Sequence, residues 1–272
     1  MIYRTADHHR PWTIGMAPDP EISAVIASLQ ADLAPMLGKV IGSATRPIPR
    51  VDSCGMETGR TCESLIGNVV TDAMRFTYGT DFALTNSGGI RADLTCPVED
   101  GEFCPDATNG TTITEGQVLT VLPFGNVAVT LDISGAELKA MLESGVSRMP
   151  EASGGFPQVS GLCFTYDLGA EPGNRVTRVV RQATDGSCRG EPIDLGTGAM
   201  YTLATNDFTA SGGDGYPVLL GRANTRDILA QVVASYIGGG STLSLPGEPI
   251  APAIQGRIVC NGEACPVPGG EQ

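Results

Sequence analysis

Apolar side chains recur at Ile22, Val25, Ile26, Leu29, Leu33 and Leu37, the spacing of one helical face over residues 21–37. Asp19 and Pro20 stand before it as a cap and a first-turn proline. The pattern then predicts a strand at 39–43, and a helix from Ser64 to about Phe76 that stops before Tyr78-Gly79. A short strand at 82–85 follows. Thr114 with Gln117, and Ser134 with Glu137, are capping-box pairs opening helices to about Val121 and Arg148. Between those helices lie a turn at 122–126 and a strand at 127–133. Further strands are expected at 161–166, 176–181, 201–205 and 256–260, with a helix over 227–237. The segment between Cys96 and Thr112 has the character of an inserted loop. No internal repeat stands out. The expected architecture is mixed α/β (α+β), a mixed sheet flanked by helices, with an irregular leader at 1–20, one domain over 21–260 and a loosely attached tail at 261–272.

Composition narrows the function classes. The chain has 272 residues, 41% of them hydrophobic, which suits a globular domain with a sizeable core. No apolar run approaches the ~20 residues of a membrane helix. A net charge of −13 argues against nucleic acid and anionic membranes as partners, because a phosphate surface would be repelled. The eight cysteines suggest disulfides and an oxidising compartment. Pairing sequence neighbours gives Cys54–Cys62, Cys96–Cys104, Cys163–Cys188 and Cys260–Cys265. Zinc is the rival reading, but zinc sites favour Cys-x-x-Cys spacings and the chain has none. Residues 1–20 lack a signal-peptide core, so the chain reads as a fragment of something longer. Asn109-Gly110-Thr111 is a formal glycosylation sequon.

Two glycine-rich segments carry the candidate chemistry: Leu84-Thr85-Asn86-Ser87-Gly88-Gly89-Ile90-Arg91 and Thr205-Asn206-Asp207-Phe208-Thr209-Ala210-Ser211-Gly212-Gly213-Asp214-Gly215-Tyr216. Each follows an apolar run, and glycine lets a backbone approach a ligand closely. Arg91 can aim a forked guanidinium at a phosphate or ribose, or simply be a surface turn residue. Asn86 can read a hydroxyl or base edge, or cap its own turn. Asp214, between two glycines, can accept from ribose hydroxyls or serve the turn. Phe124 and Phe208 fall in loops of a chain with only 5% aromatics; they can sandwich a base or be ordinary core. Arg60 lies in the loop that a Cys54–Cys62 bridge would fix. Hydrolytic machinery is absent. The only histidines, His8 and His9, are adjacent, and a two-metal centre needs several His, Asp and Asn ligands.

Four segments, in this order, resemble a known family: Glu63-Ser-Leu-Ile-Gly67-Asn68-Val-Val-Thr-Asp72-Ala73-Met74, Asn86-Ser-Gly-Gly-Ile-Arg91, Leu122-Pro-Phe-Gly125, and Asn206-Asp-Phe208 with Gly212-Gly-Asp214-Gly215. The family is the C-terminal domain of 5'-nucleotidases, which includes UDP-sugar hydrolases and surface ecto-5'-nucleotidases. The resemblance covers roughly residues 20–260. It implies a nucleoside or nucleoside monophosphate as ligand, with the base between Phe124 and Phe208 and the ribose at Asp214. Asn86, Arg91 and Arg60 complete the implied pocket. It also implies a partner, an N-terminal metallophosphatase domain holding two divalent metals such as zinc, which is missing here. Residues 21–37 resemble the helix joining the two halves. The resemblance thus implies the specificity half of a nucleotide-catabolic hydrolase, inactive alone, with no cofactor or catalytic residue of its own. Its expected location is secreted, periplasmic or cell-surface. The alternatives are a stand-alone secreted nucleotide-binding module, and a structural domain with a vestigial pocket.

Overall fold

Local chemistry sets most of the element boundaries in the computed structural model, which describes residues 19–94, 112–239 and 248–267, together with the backbone of 2–4 and 11–13. The order is β1 (Ile2–Arg4), β2 (Pro11–Thr13), α1 (Pro20–Leu37), β3 (Val40–Ser43), α2 (Leu65–Tyr78), β4 (Phe82–Asn86), β5 (Thr112–Thr114) and α3 (Glu115–Val121). Then come β6 (Val127–Ser134), α4 (Gly135–Val146), β7 (Pro157–Ser160), β8 (Leu162–Asp167), β9 (Val176–Arg181) and β10 (Met200–Asn206). The chain closes with α5 (Asp207–Ala210), β11 (Asn224–Ile228), α6 (Leu229–Ile237) and β12 (Ile258–Asn261). Both capping boxes form: Thr114 with Gln117 opens α3, and Ser134 with Glu137 opens α4. Gly79 ends α2 in the left-handed conformation, which glycine adopts without steric cost.

The central sheet has strand order β11-β6-β10-β4-β7. β10 and β4 run parallel; every other neighbouring pair in it is antiparallel. Alternation along β4 sends Phe82 and Leu84 into one core and Ala83 into the other. Helices α2, α3 and α6 fill the Ala83 side. Helix α4, with the smaller sheet β12-β8-β9, fills the Phe82 side. The expected mixed α/β arrangement is therefore present.

Several elements depart from the sequence expectation. β7 shows no strand pattern in the sequence, because two of its four residues, Gln158 and Ser160, are polar yet fully buried. β11 occupies positions expected to open the last helix: Asp227 accepts from the Tyr78 hydroxyl at 3.1 Å while the strand pairs along β6. β1 and β2 pair within the leader, where no periodicity showed. Helix α1 forms as spaced, but none of its residues is buried and its apolar stripe is exposed. Disulfides join Cys54–Cys62, Cys163–Cys188 and Cys260–Cys265. The Cys96–Cys104 pairing, the loop around it and the Asn109 sequon lie outside the described residues, as do His8 and His9.

Burial raises four tyrosines: Tyr78 and Tyr236 to about 12, and Tyr166 and Tyr216 further still. A tyrosine whose folded pKa exceeds its unfolded value contributes stability that is intact below about pH 10 and declines as pH climbs toward the folded value. Alkaline unfolding is therefore expected above about pH 10. Tyrosinate absorbance should rise together with loss of near-ultraviolet circular dichroism. Free titration of all six tyrosines near pH 10 in a still-folded chain would contradict this.

Candidate functional site

Because β4 and β10 are parallel neighbours, the two glycine-rich loops leave the same edge of the sheet, at the strands' carboxyl ends. Open α/β sheets characteristically bind ligands there. The last residues of the two strands interlock. Asn206 Nδ2 donates to Thr85 Oγ1 at 2.9 Å and to Asn86 Oδ1 at 3.2 Å. Asn86 Nδ2 in turn donates to Asp214 Oδ2 at 2.9 Å. Asn206 Oδ1 accepts from Thr209 N at 2.7 Å and so caps α5. Asn86 is buried and joins both loops; Asp214 is exposed with one carboxylate oxygen held. Asp214 has φ 58°, the one left-handed residue other than glycine among those described. That conformation costs an ordinary residue about 1 kcal/mol. Gly154 and Gly155 pack on its other side, and Gly88 N donates to Gly154 O at 2.7 Å. A Cβ on Gly88 would meet the Gly154 Cα at 3.0 Å.

The rings flank this floor. Phe82, Phe156 and Phe164 are at most 1% exposed, whereas Phe124 is 61% and Phe208 42% exposed. Neither ring is a core residue. Phe208 lies across Gly213, where a Cβ would stand 2.5 Å from its Cε1 and Cζ. Only glycine leaves the ring that seat. Phe124 lies under the Arg91 guanidinium, with Cζ 5.7 Å from the ring centroid. One oxygen ties the ring-bearing segments together. Asp207 Oδ1 accepts from Asn126 Nδ2 at 2.8 Å, Val127 N at 3.2 Å and Phe208 N at 2.9 Å.

Arg60 sits in a loop built around one buried carboxylate. Asp52 Oδ1 accepts from Cys54 N and Met56 N; Oδ2 accepts from Thr61 N, Thr61 Oγ1 and Cys62 N, all at 2.9–3.1 Å. With the Cys54–Cys62 bridge, these bonds fix the loop. Asp52, Cys54 and Cys62 lie within ligand range of one another, but the thiols are joined and the carboxylate is occupied by N–H and O–H groups. The set does not fit a metal. Burial, then the like charges of Arg91 and Arg50, pull the Arg60 guanidinium below its ordinary range, while Asp214 opposes them. Its Nε is buried with no acceptor among the described residues. Four of the expected residues (Arg60, Arg91, Asp214 and Asn86) thus form one polar group, with Phe124 under Arg91 and Phe208 beside Asp214's loop.

The 5'-nucleotidase C-terminal domain model matches residues 40–221, two thirds of the chain. The chain belongs to this family. It is 34% identical over 203 residues to the trifunctional nucleotide phosphoesterase protein YfkN of Bacillus subtilis, covering 73% of this chain and 12% of that protein. It is 32% identical over 203 residues to human 5'-nucleotidase, covering 72% of this chain and 32% of that one. The crystal structure of a Thermus thermophilus 5'-nucleotidase precursor superposes with a TM-score of 0.68 at 31% identity, over 91% of this chain and 44% of that chain. The chain therefore spans between about a tenth and a half of these relatives' lengths.

Within this 5'-nucleotidase C-terminal domain, the carboxylates of the 63–74 segment serve packing away from the site. Glu63 is buried and accepts from Asn68 Nδ2, Gln255 N and Arg257 N at 2.6–2.9 Å. Asp72 takes a two-pronged ion pair from Arg257, whose side chain is 4% exposed. Both carboxylates pin the C-terminal segment onto α2. Three residues that the sequence did not single out act on the site indirectly. Arg50 donates from Nε to Glu57 O at 3.0 Å and from Nη1 to Arg91 O at 2.9 Å, joining the loops of Arg60 and Arg91. Gln158 donates to Cys62 O and Ser87 Oγ, joining the disulfide loop to the first glycine loop. Asn126 completes the Asp207 tie.

Proposed function

We propose that this chain is the nucleoside-recognising half of a nucleotide hydrolase of the 5'-nucleotidase type. The observation that carries the reading is the pair of exposed phenylalanines at one sheet edge, flanking a hydrogen-bonded Asn86–Asp214 floor and the Arg60 and Arg91 charges. Exposed aromatic faces beside preset polar groups suit a flat base with a polyhydroxyl sugar. The base stacks between Phe124 and Phe208. The free oxygen of Asp214 accepts from a ribose hydroxyl, and the orphan Nε of Arg60 donates to sugar or phosphate oxygen. Arg91, carried on Phe124, meets the phosphate side.

A two-metal phosphoryl-transfer centre needs several His, Asp and Asn ligands. Two adjacent histidines cannot by themselves ligate a two-metal centre, and Asp52 and Asp207 are engaged in holding loops. The reading assigns water activation to a metallophosphatase domain outside this chain. What these residues do is bind and orient. Three disulfides among the described residues support an oxidising, extracytoplasmic location. Among the described residues no helix is long and apolar enough to cross a membrane.

Calorimetric titration with adenosine and AMP tests the reading: saturable binding is expected, and none at several millimolar would refute it. Arg50→Ala is expected to weaken AMP binding about fivefold, since it frees two arginine-bearing loops at a cost of about one hydrogen bond's net worth. The same titration checks it, with Arg50→Lys recovering less than half of the loss because a single ammonium cannot reach both carbonyls.

A further inference from the structure

A second cleft lies at the other end of β4. It encloses about 480 Å³ and is lined by Arg75, Phe76, Gln182, Thr184, Tyr236 and Gln255, among others. Its volume falls in the range of small-molecule sites. Arg75 Nε donates to Ser160 Oγ at 2.8 Å, and Ser160 pairs with Ala83 near the start of β4. The loop site begins at Asn86, about 10 Å further along the strand. The two sites are therefore separate.

Three features bear on what the cleft accepts. First, the Arg75 charge has no ion-pair partner among the described residues. Asp72 is bonded by both Arg257 Nη groups. Its one hydrogen bond there is the one to Ser160, so both Nη groups have none. Burial is the main influence lowering its affinity for a proton, with Arg257 adding to it and Asp72 opposing. Second, one wall is aromatic. Phe76 and Tyr236 lie with centroids 6.4 Å apart and planes 8° from parallel, and Arg75 Cζ is 4.0 Å from the Phe76 centroid. Third, both acids lining the cleft are engaged: Asp72 by the two Arg257 Nη groups, and Asp185 by Ser187 N at 2.9 Å.

We propose that this cleft binds a small planar carboxylate. The two Nη groups of Arg75 offer the parallel donors that a carboxylate accepts in pairs. The aromatic wall offers apolar surface to the body of the same molecule. Gln182 and Gln255 already bond each other at 2.7 Å, so they close the far side without competing for the anion.

Benzoate is the probe, titrated into the full chain by calorimetry, with inorganic phosphate beside it. Saturable benzoate binding is expected, weakened about tenfold or more by Arg75→Gln. Phe76→Leu, which keeps the charge, is expected to weaken it about threefold. Phosphate should bind at least about tenfold more weakly than benzoate, because it cannot use the wall. Adenosine binding at the loop site should be the same in wild type and Phe76→Leu. Should Arg75→Gln lose its near-ultraviolet dichroism, Arg75→Lys replaces it, keeping charge but not the fork; an intermediate loss is then expected. Equal benzoate binding by wild type and the Arg75 variant would overturn the site. Phosphate binding as tightly as benzoate would overturn the ligand class.

Discussion

Phe208→Ala is expected to weaken adenosine and AMP binding by about ten- to a hundredfold, the worth of one base–aromatic stack. The fold should barely notice. The ring is 42% exposed, and surface substitutions of this kind change stability by about 0.5 kcal/mol or less. A thermal melt within about 2 °C of wild type is the control. The ring's seat gives an independent variant. Gly213→Ala would place a methyl 2.5 Å from the ring carbons and push Phe208 out of position without removing it. It should reproduce most of the loss. Phe124→Ala should weaken binding through the stack and also release Arg91 from its ring. Retained affinity in both phenylalanine variants would mean that the exposed rings serve something other than a base.

Arg257→Met should produce the largest loss of stability, about 3–5 kcal/mol, as for other buried ion pairs that lose one partner. The variant leaves Asp72 Oδ1 and Oδ2, Val159 O and Gln255 Oε1 without the donors that now reach them at 2.8–2.9 Å. In a chain of this size that corresponds to a melting point lower by roughly 10 °C. The double variant Asp72→Leu/Arg257→Met removes both charges and should recover a good part of the loss. Thermal melts of the three proteins measure this. If the double variant is as unstable as the single one, the individual bonds to Val159 and Gln255 matter more than the charge.

What could be read in the chain follows the range of the interactions involved. The capping boxes at Thr114 and Ser134 are three-residue events, and both helices start where they imply. Short buried strands with polar members defeat pattern reading. Gln158 and Ser160 look like loop residues, yet each holds a long-range bond: Gln158 to Cys62, and Ser160 with Asp72. β11 is exposed at every position and gives no alternation to read. At the candidate site, the proposed binding residues Arg60, Phe124 and Asp214 stand next to glycines in the sequence. The residues that position them act over long sequence separations. Arg50 works through a carbonyl 41 residues away and Asn126 through a carboxylate 81 away. No local pattern encodes a partner at that distance. Glu63, Asn68 and Asp72 show the converse: a distinctive run of residues whose work is to fasten the C-terminal segment.

The parallel pairing of β4 with β10 joins Phe82 to Leu203 and Ala83 to Ala204, about 120 residues apart. Contacts of such separation require the intervening chain to close into a ring first, and they form slowly. During synthesis α2 and β4 emerge about 120 residues before β10, so the pocket edge is completed only once β10 has left the ribosome. Refolding from denaturant should show the same order. Helical signal returns early, and nucleoside affinity returns with the last phase. A trapped species with native helix content and no ligand binding would mark the interval between them.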